Sequence, residues 1–447
     1  MQQKVFKVSS VFYRDPGSTY PTATRAEGMY IYDDAGRQYL DMSGGAAVSC
    51  MGHGHPDVVQ AVQEQAGKLS FAHTAFFTNE PQEDLASRLA ARFGEKDAKV
   101  WFTSGGSESN ESALKIAWQY WQAKGHPDKT IIISRQFSYH GGTLGATSIS
   151  GSVFRREPYE KVLHNWPRIA PCYPYRNKLE DETDREYGHR AAQELDEAIR
   201  LAGPENVAAF IAEPVVGATL GVVPAVPGYF EEIRRICDHH RVLFIADEVM
   251  CGSGRCGTFY AHDQENVRPD MVSIAKGLGG GYQPIGAVIA RNFICEAIRD
   301  DTSAFAHGHT YIGHAIACAA GVAIQRCLDD GLLASVAGKG EHLMTLLNKR
   351  FGDHPHVGDI RGRGLFVGLE FVSDQKSKTA FPVEQGIPGK LKNAAMRNRL
   401  ICYPGGGTVD GRKGAHLLLA PPFIAEDQHF EELADRLDKM LHSVFSG

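Results

Sequence analysis

The chain has 447 residues, of which 43% are hydrophobic and 22% are charged, and its formal net charge is −6. This composition excludes a disordered or fibrous chain, because both classes need a compositional bias that is absent here. The acidic balance also argues against nucleic acid or an anionic membrane as a partner, since each requires clustered positive charge.

The N-terminal part of the chain predicts a β-hairpin over residues 30–41, with its turn at Asp34-Ala35-Gly36. The middle alternates short apolar runs with helical patterns, which is typical of a parallel sheet covered by helices on both faces. Strands are predicted at 100–102, 131–133, 207–212, 242–246 and 271–275, and helices at 108–120 and 229–240. The C-terminal part predicts helices over 332–350 and 426–444, with a strand at 364–371 between them.

These elements predict an α/β protein with a large, mostly parallel sheet domain over residues 76–330. Residues 1–75 and 331–447 are predicted to form together a smaller α+β domain from both chain ends. The N-terminus has no apolar run long enough for a signal peptide, and no stretch is suited to a bilayer, so we expect a cytoplasmic protein. The nine scattered cysteines predict reduced thiols, and the spacing of the histidines predicts no metal site.

Chemically informative residues follow four of the predicted strands. Asp247, Glu213 and Lys276 each come directly after a buried strand, and a Gly/Ser turn at residues 103–107 opens a helix. Ligands of open α/β sheets bind at the carboxyl ends of the parallel strands. Such a turn can bind phosphate, a buried lysine can form a Schiff base, and an aspartate can hold a pyridinium proton; pyridoxal phosphate (PLP) needs all three groups.

Several short motifs follow one another along almost the whole chain. They are residues 28–33 (GMYIYD), 52–56 (GHGHP), 104–111 (SGGSESNE), 139–141 (YHG), 213–215 (EPV), 245–249 (IADEV), 273–281 (SIAKGLGGG), 307–311 (HGHTY) and 420–423 (APPF). In this order they resemble the class III (ω-amino acid and amine) aminotransferases. The resemblance implies the fold-type I structure of PLP-dependent transferases.

The resemblance also implies roles for individual residues. Lys276 would carry PLP as a Schiff base and move the proton, and Asp247 would keep the pyridine nitrogen protonated. The other implied cofactor contacts are Tyr139 and Val249 on the two ring faces, Gly106 and Ser107 at the phosphate, His140 and Glu213 near the ring, and Thr310 reaching in from a neighbouring subunit. A homodimer, or a dimer of dimers, with shared active sites follows from the last contact.

The implied reaction moves an amino group from an ω-amino acid or a primary amine to pyruvate or 2-oxoglutarate in two half-reactions. Decarboxylases, aminomutases and racemases of the same scaffold use the same lysine and aspartate, so they stay open as alternatives. Lys276 and the missing GxGxxG motif argue against a non-catalytic or NAD-dependent protein.

Two departures from the family pattern concern the substrate. Tyr403 stands where many ω-transaminases carry an arginine that binds a carboxylate, and Arg412 in the glycine-rich segment 405–414 is the candidate replacement. Residues 43–47 are small where some amine transaminases carry a tryptophan. This difference predicts a roomier pocket with Phe76, Phe77 and Tyr139 as its aromatic walls.

Overall fold

The fold is described from a computed structural model that covers residues 9–302 and 304–445. The strands are β1 (Ala23–Glu27), β2 (Tyr30–Asp33), β3 (Gln38–Asp41), β4 (Lys99–Thr103), β5 (Ile131–Arg135), β6 (Arg168–Ile169), β7 (Val207–Ala212), β8 (Val215–Val216), β9 (Val223–Pro224), β10 (Leu243–Asp247), β11 (Met271–Ile274), β12 (Gly286–Ala290), β13 (Val357–Arg363), β14 (Phe366–Phe371), β15 (Leu400–Ile401), β16 (Tyr403–Gly406) and β17 (Ala415–Leu419).

Helices cover both faces of the central sheet and much of the remaining chain. They are α1 (Gly44–Ala47), α2 (Pro56–Lys68), α3 (Glu80–Arg92), α4 (Gly106–Ala123), α5 (Leu144–Ile149), α6 (Val153–Arg156), α7 (Pro174–Asn177), α8 (Asp184–Ala202), α9 (Tyr229–His240), α10 (Asn292–Thr302), α11 (Ala315–Cys327), α12 (Leu333–Phe351), α13 (Ile387–Arg397) and α14 (Asp427–Phe445). None of these helices, within the residues described, is both long and apolar enough to cross a membrane.

The central sheet has seven strands in the order β4-β12-β11-β10-β7-β5-β6. Strand β12 is antiparallel to both of its neighbours, β4 and β11, and the remaining pairs are parallel. The sheet is therefore mostly parallel, as predicted, and the carboxyl ends of β4, β7, β10 and β11 lie at the same edge. The antiparallel strand β12 was not predicted.

The alternation of side chains along the central strands divides the core into two layers. Ile211 and Ile245 pack on the side of α4, in a cluster that includes Leu114 of that helix. Phe210 and Phe244 point to the opposite face, where α8 and α9 pack. Both layers are buried, which explains why β7 and β10 read as continuous apolar runs in the sequence.

The two ends of the chain meet in the smaller sheets. The N-terminal hairpin of β2 and β3 pairs through β3 with β15, so residues 38–41 lie beside residues 400–401. A further sheet, in the order β13-β14-β17-β16, is built wholly from the C-terminal part. This arrangement is compatible with a smaller domain made from both ends, whose boundaries at residues 75 and 330 remain predictions. All nine cysteines are free thiols, as expected.

Candidate active site

A cavity of about 440 Å³ lies at the carboxyl edge of the central sheet. The strand ends of β4, β7, β10 and β11 all contribute to its wall. Its lining comprises Val48, Ser104, Gly105, Gly106, Ser107, Asn110, Tyr139, His140, Gly141, Glu213, Val215, Asp247, Val249, Met250, Ala275, Lys276, Gly281, Gln283, Pro284 and Ile285. We call this space the lysine cavity.

Lys276 lies just beyond β11, at the start of a short 3₁₀ turn, Lys276–Leu278. Its φ angle is 47°, a left-handed conformation that is uncommon for residues other than glycine and is often found at functional sites. Burial lowers the pKa of the Lys276 amine to about 8; Asp247 opposes this change, whereas Arg155 and Arg14 lower the pKa further. The neutral, nucleophilic amine is therefore accessible close to neutral pH.

Asp247 is buried at the end of β10 and is oriented by three donors. Its Oδ2 accepts hydrogen bonds from Asn110 Nδ2 and His140 Nδ1, each at 2.7 Å. Its Oδ1 accepts one from the backbone N–H of Val249 at 3.0 Å. A carboxylate offers about four lone-pair sites, so one acceptor position remains for a protonated ring nitrogen. No role was predicted for Asn110 from the sequence, because its burial on the first turns of α4 becomes visible only in the structure.

Three polar atoms of the cavity wall have no hydrogen-bond partner among the described residues. They are Glu213 Oε2, His140 Nε2 and Asn110 Oδ1. Burial raises the pKa of Glu213 to about 7; the neighbouring Asp247 also raises it, while His140 and Arg135 oppose the change. Buried polar groups without partners are rare in folded proteins, and several around one cavity indicate a polar ligand.

The first turn of α4 forms the other end of the lysine cavity. Gly105, the residue before the helix, provides no side-chain cap, so backbone N–H groups of the first turn are free to face an anion. A Cβ at Gly106 would lie 2.6 Å from Val249 Cγ1, which explains the glycine. Ser109 fixes the turn in place, since its Oγ lies 2.8 Å from Thr103 Oγ1 and donates to the Ile274 carbonyl at 3.2 Å.

The geometry of the lysine cavity fits the phosphate, the ring nitrogen and the aldehyde of PLP. The helix N-terminus suits the phosphate, the remaining acceptor of Asp247 suits the pyridine nitrogen, and the amine of Lys276 suits the aldehyde. Of the residues predicted to contact the cofactor, all except Thr310 line this one cavity.

The remaining predicted residues lie elsewhere in the single chain. Thr310 is exposed, and Phe76 and Phe77 are 79% and 67% exposed, so none of the three lines the lysine cavity. Tyr403 and Arg412 line a second cavity, of about 510 Å³. Val48 and residues 283–285 complete the wall of the lysine cavity; they were not predicted, because they carry no motif of their own.

Comparisons with known proteins agree with this geometry. The family model of class-III aminotransferases matches residues 13–441. An uncharacterized aminotransferase of Schizosaccharomyces pombe is 43% identical over 443 residues, covering 99% of this chain and 96% of that protein. The mitochondrial gamma-aminobutyrate transaminase 1 of Oryza sativa subsp. japonica is 38% identical over 418 residues, covering 92% of this chain and 78% of that protein.

A solved structure gives the same result for the fold. The ω-transaminase of Pseudomonas jessenii in complex with PMP superposes with a TM-score of 0.89 at 30% sequence identity, covering 96% of this chain and 93% of that one. This similarity confirms the predicted α/β fold of the PLP-dependent transferases. Because the family match spans nearly the whole chain, and the lysine cavity has the groups that PLP requires, the chain belongs to the class III aminotransferases and is an enzyme of PLP-dependent transamination.

Proposed function

We propose that Lys276 holds the cofactor through its Nζ atom and moves the proton during transamination. Bound PLP supplies an electron sink for the bond that breaks at the amine-bearing carbon of the substrate. Burial and a pKa near 8 allow Nζ to lose its proton near neutral pH, so the same atom can accept a proton and return it. The left-handed backbone at this residue fixes where the side chain leaves the strand edge.

The surrounding residues are proposed to hold the cofactor rather than to react. Asp247 accepts a hydrogen bond from the pyridine nitrogen, and its orientation is set by Asn110 and His140 at 2.7 Å each. Backbone N–H groups of Gly106 and Ser107 bind the phosphate at the positive end of α4. Tyr139 and Val249 pack against the two ring faces, and Glu213 and the second nitrogen of His140 provide polar contacts beside the ring; all four residues line the lysine cavity.

We propose that the donor is an ω-amino acid or a primary amine and that the acceptor is pyruvate or 2-oxoglutarate. Two observations support this substrate class. The rice relative is named for gamma-aminobutyrate, an ω-amino acid, and the solved neighbour is an ω-transaminase. The lysine cavity, at about 440 Å³, is also large enough for a small substrate beside the cofactor.

We further propose a homodimer in which Thr310 of each subunit completes the phosphate site of the other. Within one chain, Thr310 and Tyr311 are exposed, and so are the aromatic side chains of Phe76 and Phe77. Exposed aromatic side chains, in a chain whose own cavity lacks one expected phosphate contact, support a shared interface. The cytoplasmic location expected from the sequence stays a prediction.

The observation that supports the proposed function is the lysine cavity with its unpartnered polar atoms. Measuring the two half-reactions separately tests this function. The holoenzyme is mixed with 4-aminobutanoate, longer ω-amino acids or butan-1-amine, and conversion of the cofactor to its amine form is followed by absorbance. Pyruvate or 2-oxoglutarate is then added to the aminated enzyme. We expect conversion by several donors, return by one keto acid, and neither in Lys276→Ala. Failure of the whole donor panel would contradict the substrate class, and reaction of the shortest donor alone would contradict the roomy pocket.

A further inference from the structure

A second cavity of about 510 Å³ lies beside the proposed cofactor site. Its wall contains the short helix α6, the start of β16 and the glycine-rich segment that follows β16. Its lining residues include Arg155 of α6, Tyr403 of β16 and Arg412 of the glycine-rich segment. We call this space the arginine cavity. None of the residues proposed to contact the cofactor lines this cavity.

Arg155 lies between the two cavities. Its guanidinium carbon is 4.4 Å from the centre of the Tyr139 ring, and Tyr139 lines the lysine cavity. Arg155 itself lines the arginine cavity. Its positive charge also contributes to the lowered pKa of the Lys276 amine, which places the charge within electrostatic reach of the reacting nitrogen.

The backbone that carries Arg155 is firmly anchored. The next residue, Arg156, is buried and donates to the carbonyl oxygens of Thr147, Ser148 and Ser150 at 2.9, 2.7 and 3.2 Å. These bonds hold α6 against the end of α5. A rigid support of this kind is what a specific binding group needs, because little ordering is left to be done when a ligand binds.

The guanidinium of Arg155 has no carboxylate partner in the part of the chain that the structure describes; it stacks on Tyr139 and acts on Lys276 only through its charge. Arg412, on the wall of the same cavity, differs in this respect, because it forms an ion pair with Glu157 at 2.9 Å and both side chains are more than half exposed. A half-buried guanidinium with its donors unused is suited to binding a planar carboxylate through two parallel hydrogen bonds.

We propose that Arg155 binds the carboxylate of an ω-amino acid donor, with the arginine cavity receiving the distal end of that donor. Arg155 thereby takes the role that was predicted for Arg412 from the sequence. The proposal rests on the proposed function, since it needs a donor that carries both an amine and a carboxylate. Tyr139, stacked on the guanidinium, helps to fix the direction of its donors.

Two donors of equal chain length test the proposal. The first half-reaction of the holoenzyme is measured with 4-aminobutanoate and with butan-1-amine, which has a methyl group in place of the carboxylate. In Arg155→Gln we expect the rate constant over KM for 4-aminobutanoate to fall about 10- to 100-fold, the range for a lost charge-assisted pair. The value for butan-1-amine should fall by a much smaller factor, since this donor has no carboxylate. For 4-aminobutanoate, Arg155→Lys should be intermediate, because lysine keeps the charge but not the planar pair of donors.

Binding of butanoate to the holoenzyme, measured by calorimetry, gives a readout that needs no turnover. We expect its dissociation constant to rise by a similar factor in Arg155→Gln and to stay unchanged in Arg25→Gln. Arg25 is a matched control, because its guanidinium also stacks on a tyrosine, Tyr32 at 3.5 Å, and it lines neither cavity.

The remaining outcomes overturn the proposal. Equal losses for both donors would show that Arg155 acts by supporting Tyr139. A selective loss in Arg412→Gln, with Arg155→Gln unaffected, would move the carboxylate site to Arg412. If the wild-type holoenzyme converts neither donor, the proposed donor class is wrong. The butanoate measurement still tests the carboxylate site, because unchanged binding in Arg155→Gln would contradict the role proposed for Arg155.

Discussion

Glu213 is a buried carboxyl group whose charge changes in the neutral pH range. It is 5% exposed, and its pKa is raised from 4.5 to about 7, chiefly by burial. Its Oε2 has no hydrogen-bond partner among the described residues, and burial outweighs the support that His140 and Arg135 give to the ionised form. The neutral form is therefore favoured in the folded apoprotein below pH 7, where it can donate a hydrogen bond to a ligand in the cavity.

This pKa predicts how the stability of the apoprotein depends on pH. As pH rises from 4.5 to 7, Glu213 loses its proton in the unfolded chain before it does so in the folded one, so the free energy of unfolding decreases. Glu213→Gln removes this contribution. The difference in free energy of unfolding between the variant and the wild type should therefore grow by roughly 2 kcal/mol, in favour of the variant, from pH 5.5 to pH 8. Urea unfolding at the two pH values measures this difference.

A suitable control is Glu64→Gln, which removes one exposed acidic side chain that does not line the cavity. It should follow the wild type at both pH values. Parallel pH curves for Glu213→Gln and the wild type would show that Glu213 has an ordinary acidity in the folded protein.

At the scale of elements, the start of α4 combines a close packing contact with an anion site. A Cβ at Gly106 would meet both methyl groups of Val249, at 2.6 and 2.9 Å. Because Val249 is tied through its N–H to Asp247, it has little freedom to move away. Alanine at position 106 therefore displaces the first turn of α4 rather than the valine, and with it the N–H groups proposed to bind phosphate.

We predict that Gly106→Ala weakens PLP binding by roughly tenfold or more, the effect of misaligning one or two charge-assisted hydrogen bonds. Binding is measured by titrating the apoprotein with PLP. Val249→Ala removes both clashing methyl groups and serves as the matched background. In that background the added Gly106→Ala should cost much less, giving a clear coupling in the double-mutant cycle. Additive losses would show that the clash with Val249 is not the cause.

The central strands could be predicted because their cause is local. Val207–Ala212 is apolar at every position, and burial on both faces of a sheet requires that pattern. Tyr229–His240 was also predicted with the bounds that the structure shows. Strand β12 was missed, since its five small and apolar residues, Gly286–Ala290, follow a glycine-rich turn and pair with β4, which lies more than 180 positions earlier in the chain.

The residues of the site likewise separate into those that local sequence predicts and those that depend on distant parts of the chain. Lys276, Asp247 and Glu213 could be predicted because each lies at or just beyond the end of a strand, and strand ends of a parallel sheet converge. The positions of Tyr403 and Arg412 could not, because they depend on the pairing of β16 with β17 and on the path of the loop between them. Asn110 likewise gains its role from Asp247, which lies in a distant strand.

At the scale of the whole molecule, the question is which subunit provides the Thr310 contact to each phosphate site. In one chain the lysine cavity contains the reacting lysine, its aspartate and the helix N-terminus, whereas Thr310 lies exposed and outside its lining. If Thr310 serves the phosphate site of a second copy, a subunit needs its partner for full activity even though its own fold is complete.

Mixing two inactive variants tests this arrangement. Lys276→Ala lacks the reacting amine, and Thr310→Asp places a negative charge where a phosphate would bind. In a heterodimer of the two, the Thr310→Asp subunit keeps Lys276 and receives an intact Thr310 from its partner, so one of the two sites is wild type in every part. We predict that joint refolding or co-expression restores activity toward one quarter of the wild-type level, the value for random pairing with one intact site in each mixed dimer. If Thr310 instead served its own subunit, every site would carry one defect and the mixture would stay inactive, whatever mass the protein shows in solution.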